Sequence, residues 1–109
     1  DYILEIIDLR EIFGDNKNAI RRIKGRIIGE GGRARLYIEE RTGAKISVYG
    51  HTVSIIGRYY NVIPAREAIM ALIEGKSHAA AYRRMERKIA ELAEVRFLES
   101  RLMEKEGAA

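Results

Sequence analysis

The sequence has no cysteine, no tryptophan and a single proline in 109 residues. The absence of cysteine excludes disulfides, thiol nucleophiles and cysteine-ligated metal sites. No apolar run is long enough to span a bilayer and no signal-peptide pattern is present, so we expect a soluble protein of the cytoplasm. Because the first residue is Asp1 and strand-like residues follow at once, we also expect the chain to be a piece of a longer protein.

Side chains suited to catalysis are sparse. The two histidines, His51 and His78, lie in a predicted turn and at a predicted helix start, and neither has the neighbouring ligands that a metal site needs. Glu39 and Glu40 are adjacent on a predicted helix, point in different directions, and are interpreted as solvated surface. A chain of this length forms one domain without a separate catalytic lobe. The sequence therefore predicts a non-enzymatic protein with no metal and no cofactor.

A glycine-framed turn is the most informative feature that is present. An apolar helical stretch leads into Gly29-Glu30-Gly31-Gly32, and a second helix follows. Without side chains in the way, the backbone of such a turn can lie against a sugar-phosphate backbone. Its N–H groups and the N-terminus of the following helix offer partial positive charge to phosphate. The turn therefore predicts a phosphate-binding loop.

Two other interpretations of these glycines are weaker. A dinucleotide-binding fingerprint needs a strand before the glycines, whereas Ile20, Ile23 and Ile27 share one face of a predicted helix. No Gly-Lys-Ser or Gly-Lys-Thr ending exists, so a Walker loop is absent. A purely structural turn between two helices would leave the charge around the loop unexplained.

Charge is distributed unevenly along the chain. The formal net charge is +4, but residues 1–20 have a net charge of −3, residues 21–45 have +5, and residues 46–75 are neutral. The positive field is thus centred on the glycine loop, which is where a polyanion would be attracted.

Periodicity and turn residues predict an α+β fold with the element order βααββα. The predicted elements are a strand Tyr2–Leu9, a helix that is capped by the segment Gly14-Asp15-Asn16 and runs to the loop, a helix Arg33–Arg41 ending at Gly43, strands Lys45–Tyr49 and Thr52–Ile56, and a helix with Pro64 in its first turn. We expect Leu36 and Ile38 to point inward from the second of these helices. The buried stripe of the last one is predicted to be Ala65, Ala68, Ile69, Leu72 and Ile73.

The C-terminal segment His78–Lys105 has no proline or glycine and is rich in helix-forming residues, so it is predicted to be helical. Tyr82, Met85, Ile89 and Leu92 follow a 3-4-3 spacing, but the apolar stripe restarts in another phase from Val95. A sustained coiled coil is therefore not expected. We predict a helix, broken near Glu94, that folds back on the domain or on a neighbour, and a self-associating helix is the alternative. We therefore predict that the chain consists of a compact unit, residues 1–75, and a helical extension, residues 76–109.

The loop and its flanks resemble the GxxG loop of KH domains, which clamps about four nucleotides of single-stranded nucleic acid. The resemblance is specific to the second KH domain of the archaeal partner-of-Nob family of pre-rRNA-processing proteins, with the paralogous KRR-type processing proteins as the nearest alternative. The segments that resemble this family are Gly29–Arg35, Ser47–Val53, Ile55–Gly57, Pro64–Ile69, and Gly75–His78 with Tyr82. The resemblance covers the chain up to about Lys88.

The resemblance implies a type I KH domain, with a three-stranded antiparallel sheet and three helices on one face. It also implies binding to the 3′ region of small-subunit ribosomal RNA, and contacts with the Nob endonuclease and the alpha subunit of initiation factor two. The residues predicted to contact RNA are Arg26, Ile28, Gly29, Glu30, Gly31, Gly32, Arg33, Arg35, Lys45, Ile46, Ser47 and Val48. A protein-binding adaptor with a minor RNA role is the alternative function.

Two residues depart from the usual KH pattern. Glu30 stands where the loop usually has a cation, and because a carboxylate is unfavourable beside phosphate, we expect it to point outward or to pair with an arginine. Arg35 stands where an aliphatic residue is usual. It could contact a phosphate, read a base edge, or pair with Glu39 one turn later. Its position one turn into the helix favours the phosphate contact.

Overall fold

The computed structural model describes residues 1–108 and shows three strands and five α-helices there. The elements are β1 (Tyr2–Asp8), α1 (Leu9–Phe13), α2 (Lys17–Ile28), α3 (Arg33–Thr42), β2 (Lys45–Tyr49), β3 (Thr52–Arg58), α4 (Tyr59–Ile73) and α5 (His78–Ala108). A short 3-10 turn, Glu30–Gly32, joins α2 to α3. The strands form one antiparallel sheet in the order β1-β3-β2. The predicted α+β fold is confirmed, with α1 as an element that was not predicted.

The core lies between one face of this sheet and the helices. Alternation along the strands turns one set of side chains inward, and the helices meet it with residues three or four apart. The buried residues of the sheet are Ile7, Ile46, Val53 and Ile55, and those of the helices include Ile23, Ile27, Ile38, Ala65, Ala68, Ile69 and Leu72. The predicted inner faces of α2 and α4 are therefore confirmed.

Two local predictions were wrong. Leu36 is 50% exposed, because α3 buries Ala34, Ile38 and Thr42, which are spaced four residues apart. Pro64 is the sixth residue of α4 and not part of its first turn. The helix begins earlier because the Asn61 side chain accepts a hydrogen bond from the Arg58 N–H at 3.1 Å.

Helix α5 is one unbroken helix, so the predicted break near Glu94 is wrong. Its first half folds back on the domain as predicted, with Ala81 and Met85 fully buried and Arg84 paired to Glu67 at 2.7 Å. Between Val95 and Met103 its large apolar side chains are exposed. None of the helices in residues 1–108 is long and apolar enough to cross a membrane. The division of the chain at residue 75 stays a prediction.

Candidate nucleic-acid interface

The glycine loop begins where α2 ends. The Gly29 N–H closes the helix by donating to the Gly25 carbonyl at 2.8 Å, and Gly29 itself adopts φ 78° and ψ 169°. A Cβ added to Gly29 would lie 2.6 Å from the backbone nitrogen of Ala34. Only glycine fits both this conformation and this close approach. The loop backbone therefore packs directly against the first turn of α3.

The rest of the loop presents its backbone to solvent. Glu30 and Gly31 are exposed, and the Gly32 N–H donates to the Gly29 carbonyl at 3.1 Å. No side chain caps the N-terminus of α3, and the first N–H of this helix, that of Arg33, donates to the Glu30 carbonyl, so the positive end of the helix dipole lies at the loop. Within residues 1–108 the Glu30 carboxylate forms no ion pair. Of the two expected arrangements, this favours the outward orientation over pairing with an arginine.

A groove of about 310 Å³ lies beside the loop, and the residues that line it are Ile28, Arg35, Ile46, Ser47 and Val48. All five belong to the predicted RNA-contact set. One wall comes from the end of α2 and the first turn of α3, and the other comes from β2. Because β2 is an edge strand of the sheet, its unpaired edge is open to a ligand.

Glu39 connects the two walls of this groove. Its Oε2 accepts a hydrogen bond from the Ile46 N–H at 2.8 Å, and both of its carboxylate oxygens lie 3.3 Å from Nη1 of Arg35. The Glu39 side chain is only 11% exposed, so its interpretation as solvated surface was wrong. The i, i+4 spacing offered this ion pair as one of three roles for Arg35, among which the phosphate contact was favoured, and no local pattern pointed to the contact of Glu39 with β2.

Pairing geometry shows which backbone groups of β2 remain open. In an antiparallel ladder, N–H and C=O groups point alternately to one side and the other. The Ile46 N–H points to the open edge, where Glu39 accepts it, and the Ile46 carbonyl accepts Nη1 of Arg35 at 3.4 Å. Val48 is two residues further along β2, so its N–H and C=O also point to the open edge. Among the described residues, no side chain forms a hydrogen bond with either of these groups.

The remaining predicted cations are placed differently. Arg26 points to the junction of α4 and α5, where its guanidinium donates to the carbonyls of Leu72, at 2.8 Å, and Lys76. Arg33 and Lys45 are exposed, and neither forms an ion pair or side-chain hydrogen bond within residues 1–108. Arg33 is adjacent to the loop, whereas the structure gives Arg26 a structural role and leaves it outside the groove.

The two histidines were predicted to lie outside any metal site. His78 contacts Tyr82, with ring centroids 6.0 Å apart, and its Nε2 lies 2.9 Å from the Arg26 carbonyl. His51 pairs with Asp8 at 2.8 Å. No three metal-ligating side chains come together in the part of the chain that the structure describes.

Comparison with known proteins identifies similar chains. A family model for the second KH domain of PNO1, described as a eukaryotic type KH-domain (KH-domain type I), matches residues 3–90. A KH domain-containing protein of Methanocaldococcus jannaschii is 45% identical over 97 residues, which are 89% of this chain and 42% of that protein. The pre-rRNA-processing protein PNO1 of Chaetomium thermophilum is 35% identical over 78 residues, 72% of this chain and 29% of that protein.

A solved structure shows the same fold. The crystal structure of the a/eIF2alpha-aDim2p-rRNA complex from Pyrococcus horikoshii contains a chain that matches with a TM-score of 0.72 and 44% identity. The match covers 83% of this chain and 48% of that chain. The present chain therefore spans less than half of each of these three proteins.

The loop conformation predicts unequal effects of alanine at two glycines. Gly29→Ala should lower the free energy of unfolding by about 2–5 kcal/mol, because the new methyl group meets the backbone of α3 in a conformation reserved for glycine. Gly31→Ala should cost about 1 kcal/mol, since Gly31 is in the left-handed helical region, φ 62° and ψ 20°, and an added Cβ would meet nothing within 4 Å. Urea denaturation of both variants measures the difference, and equal losses would contradict this description of the loop.

Proposed function

This chain belongs to the family of eukaryotic-type KH domains (KH-domain type I), in the PNO1 branch, and we propose that it binds single-stranded RNA in the groove between the glycine loop and β2. One observation carries the proposal. One wall of the groove is formed by Ile28 and Arg35, which lie directly before and after the glycine loop and the N-terminus of α3, and the open edge of β2 forms the other wall. The activity is recognition and not catalysis.

On the phosphate side, the exposed loop backbone and the positive N-terminal end of α3 receive the sugar-phosphate chain of about four nucleotides. Arg33 is the first residue of α3 and has an unpaired guanidinium among the described residues, so it supplies a mobile cation beside the loop. Glu30 turns away from the RNA. These contacts hold the strand in place without reading its sequence.

On the base side, Ile28 and Val48 offer partly exposed apolar surface on which bases can lie flat. The open N–H and C=O of Val48 are suited to Watson–Crick edges, which only unpaired bases expose. Stacking on aromatic rings contributes little, because Tyr37 packs against Tyr82 with ring centroids 4.6 Å apart. Tyr49 is 83% exposed, on the strand face opposite Val48.

The names of the relatives indicate which RNA the groove receives. One is a pre-rRNA-processing protein and another was crystallised with rRNA and a/eIF2alpha. We propose that this chain acts in the cytoplasm on the 3′ region of small-subunit ribosomal RNA during ribosome maturation. The whole protein would then meet the Nob endonuclease and the alpha subunit of initiation factor two. A protein-adaptor role is the second candidate, and the exposed apolar side chains of the outer half of α5 favour it.

The loop assignment predicts the effect of added negative charge. Replacing Glu30 and Gly31 together by aspartate should weaken binding of a short single-stranded RNA at least about ten-fold, because the aspartate at position 31 adds a negative charge beside phosphate and the shorter side chain at position 30 holds its carboxylate nearer to the loop backbone than Glu30 does. The fold should persist, since both positions are exposed and aspartate tolerates the left-handed conformation.

The matched control replaces the same two residues by asparagine, which has the shape of aspartate without its charge. This variant should bind at least as well as the wild type. Fluorescence anisotropy with a labelled oligonucleotide measures affinity, and the thermal transition reports the fold. Wild-type affinity in a folded aspartate variant would overturn the groove assignment.

Salt dependence separates the roles of Arg33 and Arg35. If about three or four phosphates are neutralised, the slope of log affinity against log salt should be about −2 to −3. Arg33→Ala should make it shallower by about 0.7. Arg35→Ala should leave the slope nearly unchanged and flatten the preference at one nucleotide, because Glu39 already compensates this charge and Arg35 lines the base side.

Arg83→Ala, on the exposed surface of α5, is the control for loss of one positive charge. A slope change in Arg35→Ala equal to that of Arg33→Ala would show a phosphate contact instead. Unchanged affinity, slope and nucleotide preference in Arg35→Ala would mean that its pairing with Glu39 is purely structural.

A further inference from the structure

A second cleft, of about 390 Å³, lies between the first half of α2 and the turn that joins β2 to β3. Four cationic residues line it, Arg10, Lys17, Arg21 and Lys24, together with the imidazole of His51. Its lining includes one carboxylate, that of Asp15, so its formal net charge is +3. None of the residues that line this basic cleft also lines the groove.

The positive charge of the basic cleft is largely uncompensated. Within residues 1–108, Lys17, Arg21 and Lys24 take part in no ion pair. Arg10 approaches Asp15 at 3.9 Å, but the Asp15 side chain is 97% exposed, so this contact contributes little. Cations gathered without partners repel one another, and a polyanion would relieve that repulsion.

The wall opposite α2 is held in place by hydrogen bonds. The His51 ring lies 2.8 Å from the Asp8 carboxylate, and the His51 carbonyl accepts the Leu9 N–H at 2.7 Å. The hydrogen bond from His51 is the main reason that the pKa of Asp8 is lowered, and the Arg10 N–H adds to it. Asp8 is therefore ionised at neutral pH and keeps the turn against the start of α1, so the cleft is formed before any ligand binds.

The basic cleft continues the groove. Lys17, Arg21, Lys24 and Ile28 follow a 4-3-4 spacing and lie on one face of α2. Ile28 lines the groove, whereas the three cations line the cleft. On the other side, β2 lines the groove and the turn that follows it lines the cleft. The two sites thus form one track, roughly 16 Å long on its α2 side.

We propose that a single-stranded nucleic acid longer than the groove continues along α2, and that its next phosphates bind to Lys17, Arg21 and Lys24. The cations are spread over about two helical turns and do not converge on one point, which suits successive phosphates better than one small anion. This inference rests on the proposed function, because the groove determines where the strand enters the track.

The test compares two RNA lengths. Unstructured oligonucleotides of about four and about ten nucleotides share the same central tetranucleotide, so the short one fills only the groove. The test variant is Arg21→Gln with Lys24→Gln, and the control is Arg83→Gln with Arg87→Gln on the exposed side of α5, which removes equal charge. Circular dichroism shows whether each variant is folded.

For the longer RNA, the test variant should lose about three- to ten-fold in affinity, and its salt slope should become shallower by about 1.4. For the shorter RNA it should stay within about two-fold of the wild type, because that RNA does not reach the cleft. The control variant should leave both affinities nearly unchanged. A second variant, Lys17→Gln, should show a smaller loss for the longer RNA alone.

Equal losses for the two RNAs would overturn the inference, since the cations would then act only through the general field of the domain. An unchanged affinity for the longer RNA in the test variant and in Lys17→Gln would overturn it as well, while leaving groove binding intact. If the wild type binds neither RNA, the proposed function fails and the inference fails with it.

Discussion

The carboxylate of Glu39 holds the two walls of the groove at a set distance, because it accepts the Ile46 N–H from β2 while pairing with Arg35 on α3. A hydrogen bond to a charged acceptor contributes about 1.5–3 kcal/mol, and the low exposure of Glu39 limits screening by solvent. Without this contact the edge of β2 would lose its link to α3. It also leaves Val48, and not Ile46, with the open backbone groups that a base can meet.

In the proposed function, the positive charge of the cleft and loop has a different role from the shape of the groove. The net charge of the chain is modest, yet Lys17, Arg21 and Lys24 of α2 line one side of the basic cleft, and the exposed Arg33 follows the glycine loop. In the proposed function, long-range attraction brings the polyanion to these cations. The glycine loop and the open strand edge would then select an unpaired strand, since a duplex hides the base edges that the groove can read. In this proposal affinity and selectivity come from different residues.

Local patterns predicted most of the fold, including the elements that border the groove. Glycine spacing predicted the loop, alternation predicted the hairpin, and helical periodicity predicted the inner faces of α2 and α4. The exposure of Leu36, the position of Pro64 and the expected break near Glu94 were errors of local structure, whereas the errors about the site concern contacts between distant segments. The carbonyls that hold Arg26 lie 46 and 50 residues away in sequence, so no local pattern could separate a structural arginine from one beside the groove. Glu39 was misjudged for the same reason, because its partner on β2 belongs to another element.

The most direct test is an NMR titration of the labelled domain with one RNA sequence, first single-stranded and then annealed to its complement, at the same ionic strength. We expect the single strand to shift the amide signals of Gly29–Arg35 and of Val48, and the duplex to shift them far less. Equal shifts with both forms would indicate unspecific charge attraction. Unmoved loop and β2 amides in the presence of the single strand would contradict the account.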